Sequence, residues 1–299
     1  MLQQRVARVT QRVVAVARLF KWAGAAMALV LVLGVPMASA SGQPTVGLGT
    51  AGSFAVLAGQ GVTNTGATVV SGDLGTSPNP AVTGFPPGKV TGAIHKADAV
   101  ALQAQKDLTT AYNDAAGRTP VTTIATQLGG QTLKPGVYNS ASGTFQITGT
   151  LTLDAQGDPN GVFIFQTAST LVTASTSRVS LVGSAGACNV FWKVGSSATL
   201  GTNSNFTGNI LALTSSQVQT GVTVDGRVLA RNASVTLDDD TITSAACSGT
   251  VPSGGVPTGG GSTAGVQDQA LLAAGFALLV AAGAAFAVRR RVIRKGSPS

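Results

Sequence analysis

The 299-residue chain contains no glutamate, so all eleven acidic residues are aspartate. It has a single histidine, His95, two cysteines, Cys188 and Cys247, and only 5% aromatic residues. Each shortage removes a class of function. One imidazole, expected on a helix, supports neither a Ser/His/Asp triad nor a His-rich zinc site. Asp154 and Asp158 flank Gly157 ahead of Pro159-Asn160-Gly161, which reads as a turn rather than a catalytic pair, and the spacing is not that of an EF-type calcium loop. Asp238-Asp239-Asp240 could hold a cation, with a solvated turn as the preferred reading. Asp73 reads as a turn-stabilising side chain. Trp192 and Tyr138 fall at inward or strand-opening positions, which leaves no exposed aromatic platform for sugar stacking. The chain therefore reads as no enzyme, with no cofactor, no metal and no small-molecule substrate.

The formal net charge of +8 is concentrated at the ends. Arg5, Arg8, Arg12, Arg18 and Lys21 precede the apolar run Trp22 to Val35 and then Ala38-Ser39-Ala40, the layout of a secretory signal peptide over residues 1–40. The alternative is an uncleaved anchor. Residues 270–288 carry no charge, enough for roughly 30 Å of hydrocarbon, and are followed by Arg289, Arg290, Arg291, Arg294 and Lys295. That pattern predicts a transmembrane helix with a cytoplasmic tail at 289–299 and an exported body, anchored by a single pass. Nineteen Lys and Arg, less the ten at the ends, leave nine against ten Asp between Ser41 and Thr250. With a net of −1 there, no basic face is available for nucleic acid.

The body, residues 41–250, is rich in Thr, Val, Gly and Ser and is long enough for one sizeable core. Four apolar openers align: Val162-Phe163-Ile164-Phe165, Val190-Phe191-Trp192, Ile210-Leu211-Ala212-Leu213 and Val228-Leu229-Ala230. Phe191 to Ile210 is 19 residues and Ile210 to Val228 is 18, while Phe163 to Phe191 is 28, the excess lying around Gly183 to Ala187. A β-branched repeat near that length predicts a solenoid of stacked strands, with a β-sandwich as the alternative. A Thr box follows: Thr65-Gly66-Ala67-Thr68, Thr173-Ala174-Ser175-Thr176, Thr202-Asn203-Ser204-Asn205 and Thr220-Gly221-Val222-Thr223, with Asp238-Asp239-Asp240-Thr241 as a departure in the last coil. Residues 93–116 break the β pattern. Ala97, Val100, Ala101, Ala104, Leu108 and Ala111 recur at helical spacing, and Gly117 and Pro120 stop the run. This helix is expected to pack along one wall. Residues 251–269 read as a flexible Gly/Pro/Ser/Thr linker.

From about Gly47 to Cys247 the chain resembles the microbial ice-binding proteins. The resemblance is carried by Leu48-Gly49-Thr50-Ala51-Gly52-Ser53-Phe54-Ala55-Val56-Leu57-Ala58, Gly72-Asp73-Leu74-Gly75, Cys188-Asn189-Val190-Phe191-Trp192-Lys193-Val194-Gly195, Gly208-Asn209-Ile210-Leu211-Ala212 and Gly226-Arg227-Val228-Leu229-Ala230. It implies an irregular right-handed β-solenoid with one long helix alongside, and adsorption to an ice crystal surface with thermal hysteresis and inhibition of recrystallisation. It also implies that the first coil folds back between later coils, bringing its box to a shared face.

On that reading the ice-binding residues are Thr65, Thr68, Thr173, Thr176, Thr202, Asn205, Thr220 and Thr223. Stacked strands lie about 4.7 to 4.9 Å apart, and Thr is stiff at χ1, so a Thr ladder is a regular surface that loses little entropy on binding. The alternative function is a cell-surface adhesin using the same face. Independently, an exported chain with two cysteines predicts a disulfide between Cys188 and Cys247. It would close a loop of about 60 residues and contribute roughly 4 kcal/mol.

Overall fold

A computed structural model describes residues 42–245. Apart from one α-helix and two short 3-10 turns, the described residues form 22 strands, paired in parallel throughout. Extended β-branched segments separated by Gly, Ser and Asn turns cannot pair locally in parallel, so each turn of chain stacks on the next.

The stack has three faces. Face A holds β1 (Phe54–Ala58), β4 (Asp73–Thr76), β7 (Ile94–Lys96), β8 (Val121–Ile124), β10 (Gly136–Ser140), β13 (Phe163–Thr167) and β16 (Val190–Val194). The second halves of β18 (Asn205–Ala212) and β20 (Thr223–Ala230) complete it. Face B holds β2 (Gly61–Thr65), β5 (Val82–Thr83), β11 (Phe145–Ile147), β14 (Leu171–Thr173), β17 (Ala198–Leu200), β19 (Ser216–Val218) and β21 (Ser234–Asp238). Face C holds β3 (Val69–Ser71), β6 (Lys89–Val90), β9 (Thr132–Leu133), β12 (Thr150–Asp154), β15 (Arg178–Val182), the first halves of β18 and β20, and β22 (Thr241–Thr243). β18 and β20 turn the corner from face C to face A at Gly208 and Gly226, which pair with each other. A Cβ on Gly226, whose φ is 149°, would fall 2.0 Å from the Gly208 carbonyl oxygen.

The helix α1 (Ala99–Gly117) lies on face A. Asp98 caps it, its carboxylate accepting from the Ala101 N–H at 2.9 Å and meeting His95 Nδ1 at 2.7 Å. Those bonds, the backbone one first, hold the Asp98 carboxyl below its ordinary range. Ala101, Ala104, Leu108, Ala111, Tyr112 and Ala115 are buried, and most of them pack on Phe54, Leu57, Ile164, Phe191, Leu211 and Leu229. Small Ala side chains let the helix approach the strands closely. The expected start near residue 93 is corrected. Residues 94–96 form β7, His95 sits in that strand rather than on the helix, and Val100 points to solvent at 47% exposure.

Inside the triangle, Tyr138, Phe165 and Trp192 stack in register, Phe165 and Trp192 with centroids 4.0 Å apart. The expected alignment of Phe191 with Ile210 is off by one: Trp192 pairs with Ile210 and Phe191 with Asn209. Because side chains alternate, that slip exchanges the two faces. Trp192 enters the solenoid core and Phe191 goes under the helix.

The first coil lies between two later coils, as expected, stacked on the last one. β1 pairs with β20, β2 with β21 and β3 with β22, and the coil containing β4, β5 and β6 continues the stack. Nine strands on face A span roughly 38 Å, and a 19-residue helix spans about 28 Å. Helix α1 thus carries the chain back along most of the stack from β7 to β8. Arg227, only 5% exposed, locks the junction. Its guanidinium donates to the Gly52 carbonyl at 2.7 and 2.9 Å, to Asn209 Oδ1 at 2.9 Å and to the Ala245 carbonyl at 3.2 Å.

Among the described residues no helix is long and apolar enough to cross a membrane. The expected signal segment (1–40), linker (251–269), transmembrane helix (270–288) and basic tail (289–299) lie outside the described residues. Cys188 is disulfide-bonded, and Cys247, its expected partner, also lies outside them.

Candidate ice-contact face

The three faces differ in what they offer a partner. Face A is covered by the helix. Face C carries charge in its outward rows. One row runs Arg178, Asn205, Thr223, Thr241, Val69, Lys89, and another includes Asp225 between Thr207 and Thr243.

Face B is uncharged along two outward rows of its strands, while a third outward position on β2 and β21, at the corner, holds Thr65 and Asp238. The central row runs Gln146, Val172, Thr199, Gln217, Thr236, Thr63, Thr83, each paired with the next. Two residues earlier on each strand, on the same side by alternation, stand Thr144, Thr170, Ser197, Ser215, Ser234, Gly61 and Ala81. The inward partners include Phe145, Leu171, Leu200, Val218, Val235 and Val62, all buried. The sheet thus keeps apolar residues inside and hydroxyl, amide or methyl groups outside.

At the corner between faces B and C the predicted boxes come into view. Backbone bonds run from Thr176 N to Thr202 O, Asn203 N to Thr220 O, Gly221 N to Asp238 O and Asp239 N to Thr65 O. They place Ser175, Thr202, Thr220, Asp238 and Thr65 in one column. Each next residue has a positive φ: Thr176 59°, Asn203 56°, Gly221 73°, Asp239 53° and Gly66 78°. The Thr220 hydroxyl donates to Asp238 Oδ2, which satisfies that carboxylate within the column.

Of the eight sequence-derived candidates, Thr65, Thr202 and Thr220 therefore share a column. Asn205 and Thr223 face outward on face C. Thr176 occupies the left-handed corner position, its hydroxyl donating to the Ser175 carbonyl. Two are corrected because they are interior. Thr68 is 0% exposed, with Oγ1 accepting from the Asp240 N–H at 3.0 Å. Thr173 is 4% exposed, with Oγ1 accepting from the Gly201 N–H at 2.8 Å. The box starting at Thr173 is out of step with the others, so Ser175 takes the column position.

Sequence reasoning missed the central row of face B. Its signal is short: Leu171-Val172-Thr173, Ala198-Thr199-Leu200 and Val235-Thr236-Leu237 each place one outward residue between two inward ones. A three-residue alternation is hard to see beside a four-residue box.

Beneath the corner lies Asp240, 1% exposed, with Oδ1 accepting from the Val222 N–H at 2.9 Å and Oδ2 from the Asp238 N–H at 2.8 Å. Burial pushes its carboxyl up to about 7, outweighing the two N–H donors, which act in the opposite direction. The folded protein then holds a proton that the unfolded chain releases between pH 4 and 7, so stability falls as pH rises through that window. The expected loss is up to about 4 kcal/mol. Urea unfolding at pH 5 and pH 8 measures it, and Asp240→Asn should flatten the difference. A midpoint that rises with pH over this interval contradicts the assignment.

A stack of parallel coils with two uncharged rows rich in hydroxyls on one face defines the protein as a β-solenoid. The sequence model of the "Ice-binding-like" family matches residues 56–243. An ice-binding protein of Nostoc sp. (strain HG1) is 52% identical over 200 residues, covering 66% of this chain and 74% of that protein. One of Colwellia sp. is 39% identical over 222 residues, covering 68% and 85%. The crystal structure of an ice-binding protein from an Antarctic biological consortium superposes with a TM-score of 0.68 at 46% identity, covering 71% of this chain and 97% of that one. The chain belongs to the ice-binding-like family.

Proposed function

We propose that the protein is an ice-binding protein that adsorbs through face B, producing thermal hysteresis and inhibition of ice recrystallisation. The observation that carries this reading is the seven-stranded outward surface, uncharged along both rows, in a member of a family whose relatives are named for ice binding. The mechanism follows from side-chain physics. Parallel strands repeat every 4.7 to 4.9 Å, so Thr and Ser hydroxyls form a fixed grid that can hold water in an ordered layer. The β-branch of Thr and Val restricts χ1, which reduces the entropy lost on adsorption. A charged side chain would hold its own hydration shell against that layer; the two rows of face B place none there, and Asp238 stands at the corner beside them, its carboxylate accepting from the Thr220 hydroxyl.

Further proposals rest on sequence pattern. Residues 1–40 direct export, residues 270–288 anchor the protein in the membrane with face B outside, and Cys188 pairs with Cys247. The Cys188 end of that bond lies near the chain's exit from the last coil, since Cys188 Sγ is 3.4 Å from the Ala245 carbonyl oxygen. The corner column at Thr65, Thr202 and Thr220 is proposed as the rim of the contact, with face B as its centre.

Nanolitre osmometry with a recrystallisation assay on the purified protein tests the function. A hysteresis gap with faceted crystals is the expected result. Folded protein with neither effect would overturn it and favour the adhesin reading.

A further inference from the structure

We infer that the ice contact proposed above is concentrated on a composite patch of Thr236, Thr63 and Thr83, and that Gln217 limits its extent. The inference deepens the face B reading and rests on it.

The central row is not uniform. Gln146 and Gln217 are long and unbranched, whereas Val172, Thr199, Thr236, Thr63 and Thr83 are β-branched. Gln217 splits the branched positions into a pair, Val172 and Thr199, and a run of three adjacent Thr. A Gln side chain loses more rotamer freedom when held against a surface than a Thr does. It also stands further out, so it interrupts a flat ladder.

The hydroxyls on the two halves of face B also differ in availability. Toward the β11 end four of them bond in pairs, Ser142 with Thr144 at 3.1 Å and Ser197 with Ser215 at 2.9 Å, and the remaining Thr170 and Thr199 are only half-exposed. Among the described residues, none provides a hydrogen-bond partner for the hydroxyls of Thr63, Thr83 or Thr236, and all three are exposed. Their neighbours Ser234, Gly61 and Ala81 are small and leave the three Thr proud of the surface.

The patch exists only because the first coil docks on the last. Thr236 comes from β21, while Thr63 and Thr83 come from β2 and β5, and the registers Thr63 with Thr236 and Thr63 with Thr83 bring them together.

Matched substitutions on the full-length protein test this. Thr63→Tyr should leave under about a tenth of the hysteresis and Gln146→Tyr more than about half, if binding energy is concentrated in a few central residues. Gln217→Thr would join Thr199 to the run of three and should raise hysteresis about twofold or more. Melting temperatures of all three variants should stay close to the parent. Equal losses at positions 63 and 146, or no gain from Gln217→Thr, would overturn the composite patch while leaving face B as the contact. No loss at either position would overturn the face B reading itself.

Discussion

Replacing Thr236 with Lys is expected to abolish thermal hysteresis, while Thr241→Lys, one strand later, leaves it within about twofold, because only the first sits in the interface core. Both threonines are exposed, both lie in short parallel strands, and both variants introduce the same charge. They differ in face. Thr236 stands between Gln217 and Thr63 on an uncharged row of face B. Thr241 stands on face C, in a row that already contains Arg178 and Lys89. An ammonium group at position 236 must either shed its hydration shell against ice or hold the face away from it, and both outcomes remove the contact. Exposed strand substitutions change stability by at most about 1 kcal/mol, so both variants should melt near the parent. Osmometry on the pair, with a circular dichroism melt for each, is sufficient. Equal activity in the two variants would show that face B is not the contact. The same logic rules out Thr173→Lys as a probe: Thr173 is interior, and a Lys there would report on folding.

The largest stability effect is expected at Arg227→Met. The guanidinium serves three acceptors, the Gly52 carbonyl, Asn209 Oδ1 and the Ala245 carbonyl, from two distant chain segments and a neighbouring strand. Met fills similar space and donates nothing. Each buried acceptor left without a donor costs about 1–3 kcal/mol, offset in part because the charge no longer needs burial. A net loss of about 3 kcal/mol follows, read as a lower denaturant midpoint with an unchanged slope. Since Gly52 leads into β1, hydrogen exchange should accelerate first in residues 54–76 and in β22. A loss below about 1 kcal/mol would mean that Arg227 contributes little to the junction.

Much of the architecture was legible in the chain. The repeat of about 18 residues from Ile210 to Val228 is the true register of β18 on β20. The alternating apolar pattern and the Ala-rich stripe identified parallel coils and a helix packed on one wall. The placement of Trp192 and Tyr138 as inward residues agrees with their burial at 0% and 8%. The candidate site was legible only in part. Thr65, Thr202 and Thr220 fell into one column, but Thr68 and Thr173 went inside, because a box is a sequence unit and burial is set by strand register. Thr173 pairs with Ile147 on β11 and, like it, points inward.

The sequence by itself determined the parallel coils, the covering helix, the scarcity of titratable groups and the supply of β-branched hydroxyls. These are properties of local period and composition, which every three to twenty residues carry in full. Tertiary structure alone decided which face presents uncharged rows, where the helix lies, and that Thr63 meets Thr236. Those outcomes depend on which strands pair across more than a hundred residues of chain. One residue of slip, as between Phe191 and Trp192, moves a side chain from the solenoid core to the opposite side of the sheet, here beneath the helix, without changing the local pattern at all.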